Sequence, residues 1–370
     1  MKRRKIRIAC ILVLVTIVMN PFAMKDKHVL AAKQSYLTKE QVQFYEFCFA
    51  HLGNLSATNE EANYKQYGYL LYCLLNDFDS SNKLPVEVKG KHAGDGRLYS
   101  VADMKKLLTA IVGDRDIDIK KCVNSGLSLK GEFMEFIGSS GGGWGESTII
   151  DITKGKNGNL VVTGYSYCVY DGTSVVKEVN GNYIWQSVKY YMERFTATLQ
   201  PDSSCFSGYR LLSNKVSEVR NPKGTLSVSS TLVEKGYDHS KRNLVDGKME
   251  TAWVEGKSGS GVGETIQYKF KKKTKIYGVA ITNGYFKNEN VFRKNQRIKN
   301  LTLQAGKKKK NYTCIDFSEL EYIDSYSLGY TDLILFDQPV TTTTLKLTIN
   351  TVYPGTAFTD TCVSEFQILY

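Results

Sequence analysis

Asn243-Leu244-Val245-Asp246-Gly247-Lys248-Met249-Glu250-Thr251-Ala252-Trp253 is the stretch on which the fold of this chain turns. Asp246-Gly247 makes a tight turn, since glycine accepts a positive φ at no steric cost. Thr251 can hydrogen-bond back to that turn, and Trp253 would anchor the loop in a core. Short strands flank the stretch at regular spacing, with turn residues between them, which is the pattern of an all-β sandwich. Leu226–Ser230 opens the series. Thr265–Phe270, Lys275–Thr282, Ile298–Gln304, Leu333–Phe336, Leu345–Ile349 and Val363–Leu369 continue it. About eight strands in roughly 145 residues suit a jelly roll.

Upstream the period changes. Thr38-Lys39-Glu40-Gln41 fits a capping box, and Val42, Tyr45, Phe49 and Leu52 follow at helical spacing. A second helix is expected over Asn59–Phe78 and a third from Ser100-Val101-Ala102-Asp103. Thr148–Ile152 and Leu160–Val169 then read as strands joined by Lys156-Asn157-Gly158-Asn159, with Asn-Gly the hairpin signal. Arg194–Leu199 and Phe206–Leu212 are two further strands. Helices followed by an antiparallel strand meander predict an α+β domain. The boundaries read as a signal peptide over 1–31, the α+β domain over 32–212, a linker over 213–224 and the β-sandwich over 225–370.

Lys2, Arg3, Arg4, Lys5 and Arg7 precede an apolar run, Ile8–Met19, and Val29-Leu30-Ala31 offers small residues for cleavage. This predicts an exported protein, secreted or held at the cell surface. A membrane enters only if that segment stays uncleaved. The chain carries a net charge of +12. Residues 1–31 hold +6 of it and residues 237–370 hold +5, so the middle is close to neutral. Export makes nucleic acid a poor partner and puts anionic polymers, headgroups or acidic glycans first. Lys307–Lys310 follows Gly306 and reads as a solvated loop tip. Cys48, Cys73, Cys122, Cys168, Cys205, Cys314 and Cys362 lie beyond the expected cleavage site. None shows C-x-x-C spacing, and the sequence does not pair them.

The ordered blocks of the C-terminal part carry a resemblance. Asn243…Asp246-Gly247…Thr251-Ala252-Trp253 resembles the signature of the discoidin, or coagulation factor type C, galactose-binding-like superfamily. A narrower set is similar to the non-catalytic domain accompanying secreted streptococcal NAD glycohydrolases. It comprises Trp253-Val254-Glu255-Gly256 with Gly259, Gly261, Gly263 and Glu264, then Asn283-Gly284-Tyr285 with Lys287, then Asn295-x-Arg297-x-Lys299. Tyr353-Pro354-Gly355-Thr356 and Asp360-Thr361-Cys362-Val363-Ser364-Glu365 complete it. The resemblance implies a module that binds glycans and assists translocation of a toxin. The NAD-cleaving domain itself is not recognisable in residues 32–222.

The resemblance also implies a structural Ca²⁺ held by Asp246, Thr251 and Glu365. Alternatively, Asp246 only caps its turn and Glu365 only hydrogen-bonds the loop. Sugar binding needs a ring face and forked polar partners, and Tyr285, Lys287, Asn295, Arg297, Tyr353, Glu255 and Asp360 supply both, with Arg297 and Tyr285 the leading contacts. Each also has a structural reading, such as Arg297 pairing with Glu255 or Asp360 to hold loops together. The preferred reading is a non-catalytic protein that binds a cell-surface or cell-wall glycan. The rival makes the N-terminal domain an enzyme or toxin that the sandwich targets, with His92, Asp95 and Glu146 as its candidates. Gly141-Gly142-Gly143-Trp144-Gly145 lacks the context of a phosphate loop. Tyr165, Tyr167, Tyr170, Tyr190 and Tyr191 suit strand packing better than a groove.

Overall fold

The computed structural model describes residues 36–75, 84–93, 96–124, 126–136, 145–169, 176–179, 182–185, 190–316 and 331–370. The expected signal segment, Asp95 and Gly141–Trp144 lie outside these residues.

Helix α1 (Lys39–His51) starts where the capping box predicts: Gln41 N donates to Thr38 Oγ1, and Thr38 N donates to the Gln41 side chain. Its buried face, including Val42, Tyr45 and Phe49, lies on a sheet. Helix α2 (Tyr64–Cys73) starts later than expected, because a 3₁₀ turn over Glu61–Asn63 takes up its first residues; residues 76–78 of the expected span lie outside the described residues. Helix α3 (Val101–Val112) is capped by Ser100 and ends on Gly113 at φ 78°.

A small antiparallel sheet that the strand pattern did not reveal surrounds α3. It holds β1 (Lys91–Ala93), β2 (Gly96–Ser100), β3 (Leu127–Lys130) and β4 (Phe133–Phe136), in the order β1-β2-β4-β3. The main sheet follows with β5 (Gly145–Lys154) and β6 (Leu160–Val169). Asn157 at φ 57° and Gly158 at φ 77° turn the hairpin between them. A separate hairpin is formed by β7 (Val176–Val179) and β8 (Asn182–Trp185). The main sheet closes with β9 (Tyr190–Pro201) and β10 (Tyr209–Glu218), in the order β10-β9-β6-β5. Residues 213–218, expected to begin the linker, are thus paired strand: Ser213–Glu218 lie opposite Thr198–Glu193. Lys215 and Ser217 are the exposed side of an edge strand, while Asn214 is buried and donates to Leu52 O and Gly53 O.

The C-terminal domain comprises β11 (Gly224–Val228), β12 (Trp253–Val254), β13 (Thr265–Asn283), helix α4 (Glu289–Lys294), β14 (Arg297–Ala305), β15 (Lys308–Thr313), β16 (Asp332–Tyr353) and β17 (Cys362–Leu369). Two pairs of expected strands prove to be single long ones, β13 and β16. Each passes an irregularity and serves two layers, with shifts between Lys269 and Thr274 and between Ile276 and Gly278. Their outer halves join β11, β14 and β15; the other halves join β17 and β12. Trp253, Ile266, Leu303, Leu347 and Phe366 fill the core between the layers. Lys308–Lys310 is not a loop tip. It pairs with Leu303–Ala305 as the edge strand.

The second layer's outward side is covered by the N-terminal domain. Ile150, Tyr165 and Met192 pack with Tyr277, Ala280 and Leu369. Tyr165 Oη donates to the carbonyl of Tyr370 at 2.8 Å and accepts from its amide at 2.7 Å. Tyr277 Oη and Lys275 Nζ both donate to Asp151, beside a seam cleft of about 340 Å³. Asn221, expected in the linker, accepts from Ile368 N and the Gln367 side chain and donates to Phe366 O. These strands are therefore buried on both sides, which explains why the second half of β13, Ile276–Ile281, reads as a continuous apolar run.

Candidate functional site

The blocks that set this chain's sequence apart converge on one end of the sandwich. Buried Asn243 donates to Asp238 O and Ala252 O, pinning the loop after β11 to the Thr-Ala-Trp segment. Trp253 is fully buried, and its indole N–H donates to Ser230 O at 2.9 Å. Asn283 donates to and accepts from the backbone of Ile298, fastening β13 to β14. Gly284 sits at φ 132°, where a Cβ would lie 2.6 Å from the Phe292 ring, so only glycine fits.

Most of the expected sugar contacts are part of this framework. Arg297 is only 2% exposed. It donates to Phe292 O, Asn295 O and Asp316, with its guanidinium 4.8 Å from the Phe292 ring centre. Burial removes it as a leading ligand contact; it holds loops together through Asp316 rather than through the expected Glu255 or Asp360. Asn295 is buried and closes the end of α4 through Val291 O. Glu255 is wholly buried and accepts from Lys257 N and Thr361 N. Burial pushes its carboxyl up. Tyr353 donates to Cys314 O. Asp360 receives Gln296 N on its carbonyl. The Tyr-Pro-Gly-Thr block covers the last turn of α4, where Thr356 N bonds Arg293 O and Phe358 N bonds Lys294 O.

Tyr285 and Lys287 differ. Tyr285 is half-buried, and its ring meets the His239 ring edge-on at 6.2 Å. Burial, the Cys362 thiol and then Tyr237 and Glu234 push its phenol up to about 12. Tyr237, 56% exposed, stacks on His239 at 5.9 Å with the planes 5° apart. Lys287 Nζ stands 5.4 Å over the Tyr237 ring. His239 is buried, with Nε2 3.0 Å from Glu234 and Nδ1 without a hydrogen-bond partner. Three rings, a cation and an acid thus share one surface. Tyr237, His239 and Glu234 escaped the sequence reading, because Val233–His239 has no strand period and no motif spacing.

Asp246, Thr251 and Glu365 do come together. Thr251 Oγ1 donates to Asp246 at 2.9 Å, and Lys248 N donates to both Asp246 (3.0 Å) and Glu365 (2.9 Å). Burial, then the adjoining Asp246 carboxylate, pushes Glu365 up to about 9. Among the described residues no group of three or more His, Cys, Asp or Glu is placed to hold a metal. Oxygen donors here would be two carboxylates, a hydroxyl and backbone carbonyls, the hard set that suits Ca²⁺.

The N-terminal candidates do not assemble. His92 is an exposed residue of β1, away from the main sheet, while Asp95 and the Glu146 side chain are not described. Tyr165 belongs to the seam. No helix among the described residues is long and apolar enough to cross a membrane.

Residues 221–369 match the family model described as the NAD glycohydrolase translocation F5/8 type C domain. The match stops at the C-terminal domain. No curated protein matches the chain. Among solved structures, arabinofuranosyltransferase AftD from Mycobacteria aligns at 16% identity over 40% of this chain, with a TM-score of 0.31. This chain spans only 11% of that one. The family 32 CBM from C. perfringens NanJ, solved with galactose, aligns at 18% identity over 40% of this chain and 93% of its own (TM-score 0.26). A CBM32 of a GH89 protein from Clostridium perfringens, in complex with GalNAc-beta-1,3-galactose, aligns at 14% over 40% and 95% (TM-score 0.27).

Proposed function

We propose that this is an exported protein that binds a cell-surface or cell-wall glycan through the loop end of its C-terminal domain. The observation that carries the reading is the surface of Tyr237, His239 and Tyr285, with Lys287 above one ring and Glu234 beside another. Ring faces pack on sugar C–H groups, while the Lys287 amine and the Glu234 carboxylate suit hydroxyls. The match of residues 221–369 to an F5/8 type C family supports it. The basic and then apolar N-terminus supports export.

A glycan array probed with the full chain tests the reading. Tyr237→Ala and Tyr285→Ala should each weaken the leading signal by about tenfold, in the range of an aromatic anchor, and the exposed Tyr237→Ala should do so with an unchanged melting temperature. Variants that bind like wild type would remove the site. Within this reading, Ca²⁺ between Asp246 and Glu365 replaces the proton that the raised Glu365 carboxyl otherwise holds, with Thr251 beside it. A melting temperature unmoved by calcium or EDTA would count against the ion.

A further inference from the structure

The two outward faces of the C-terminal sandwich have opposite characters. One is apolar and covered by the N-terminal domain. The other, formed by β11, β13, β16, β14 and β15, faces solvent. The sequences of β11, β13, β14 and β15 contain no acidic residue. In β16 the two acids are Asp332, which is buried, and Asp337, which pairs with Lys310.

The lysines on this face are ordered by strand pairing. Gln267, Lys346, Gln304 and Lys309 stand opposite one another across four neighbouring strands. Lys269 lies two residues beyond Gln267, so it shares the face, and Lys271 continues the alternation. Strand geometry places Lys269 and Lys271 about 7 Å apart, and Lys346 and Lys309 about 10 Å apart. All four are exposed, as are neighbouring Lys272 and Lys273, and none of the six forms an ion pair among the described residues. Thr302, Gln304 and Asn311 between them supply hydrogen-bonding groups, with no exposed large apolar side chain to enter a bilayer. Lysine binds phosphate as a compact point charge, so an ordered array of ammoniums suits phosphates repeated along a chain.

From this acid-free lysine grid we propose that the outer face of β11-β13-β16-β14-β15 is a second binding surface, for a linear polymer carrying a phosphate at each repeat. It is separate from the sugar-binding loop end, and it would let one domain grip two kinds of surface polymer. Binding should be electrostatic, so affinity should fall steeply with salt as counterions are released.

The test is fluorescence anisotropy of the full chain with labelled long-chain inorganic polyphosphate, at low and at physiological salt. Lys269→Gln/Lys309→Gln/Lys346→Gln should lower affinity at least about tenfold and flatten the salt dependence, with an unchanged melting temperature. The control, Lys65→Gln/Lys106→Gln/Lys215→Gln, removes the same charge from exposed positions of the N-terminal domain and should bind nearly as wild type. Equal losses in both triples would reduce the effect to net charge and overturn the proposal. So would absence of polyphosphate binding at low salt, or binding to phosphatidylserine vesicles in preference to the polymer. Retained glycan-array signal in the grid triple would separate this surface from the loop end.

Discussion

The two domains bury different things. The N-terminal core is almost wholly apolar, with Tyr45, Phe49, Leu70, Leu108 and Phe195 packed together. The loop end of the C-terminal domain buries Asn243, Glu255, Asn283, Arg297, Ser364 and Glu365, each fitted to named backbone groups. Apolar side chains can be exchanged for others of similar volume, so they leave only a period in the sequence. A buried polar group without its partner costs free energy, so it fixes residue type and spacing. That difference makes one domain recognisable and the other anonymous.

The sharpest way to break the contrast is to attack each core by its own logic. Trp253→Ala should cost about 3–5 kcal/mol in urea unfolding, and Phe49→Ala a similar amount, because both leave cavities. Phe49→Leu should recover most of its loss. Arg297→Lys should not recover what Arg297→Ala loses, because an ammonium cannot reproduce the fork to Phe292 O, Asn295 O and Asp316. Equal rescue at both positions would erase the distinction.

Acidity separates the domains next. Burial lowers His51 to about 4, with the Phe47 ring 4.6 Å away. Its neutral form therefore contributes stability that is present above about 6.5 and lost as pH falls toward 4, on the order of 2–3 kcal/mol. Glu365 has the opposite sign. Its raised value adds stability below about 4.5 that is lost as pH rises through about 9. In EDTA, His51→Gln should flatten the acid limb of the stability profile and Glu365→Gln the alkaline limb. Thermal melts across pH check both.

At the seam, Tyr165→Phe removes the hydroxyl that both donates to and accepts from Tyr370. The expected cost is about 1–3 kcal/mol. Separate calorimetric transitions for the two domains in the variant, where wild type shows one, would show that this contact couples them.

How much could be read beforehand follows from the same physics. The capping residues Thr38 and Ser100, the Asn157-Gly158 hairpin and the Asp246-Gly247 turn were legible, because each solves a local backbone problem. The joining of Thr265–Phe270 to Lys275–Thr282 was not, since a strand crossing from one layer to the other carries a polar interruption, Lys271–Lys273, that looks like a loop. Covering of the second layer by Ile150, Tyr165 and Met192 was equally hidden, as it needs two distant segments to meet. At the site, Arg297 and Glu255 misled. A charged residue in a loop motif reads as a ligand contact until its burial is known. Tyr237 and His239 were passed over because Val233–His239 shows neither a strand period nor a motif spacing.

The smallest test concerns that local legibility. In the capping box, the Thr38 hydroxyl and the Gln41 side chain satisfy each other's backbone amides at 3.3 and 2.8 Å. Thr38→Ala should cost about 1 kcal/mol and Thr38→Ser almost nothing. Gln41→Ala should cost less, since its side chain serves only the cap amide. If the two act as a unit, the double variant should lose less than the sum of the singles, because removing either already frees the first turn. Truncation of the cap at the C-terminal helix by Asn288→Ala, where Asn288 accepts Val291 N at 2.8 Å, should show a smaller cost. There the chain from Thr356 to Phe358 holds the helix from its other end, and tertiary contact replaces what the N-terminal helix must obtain from its own first turn.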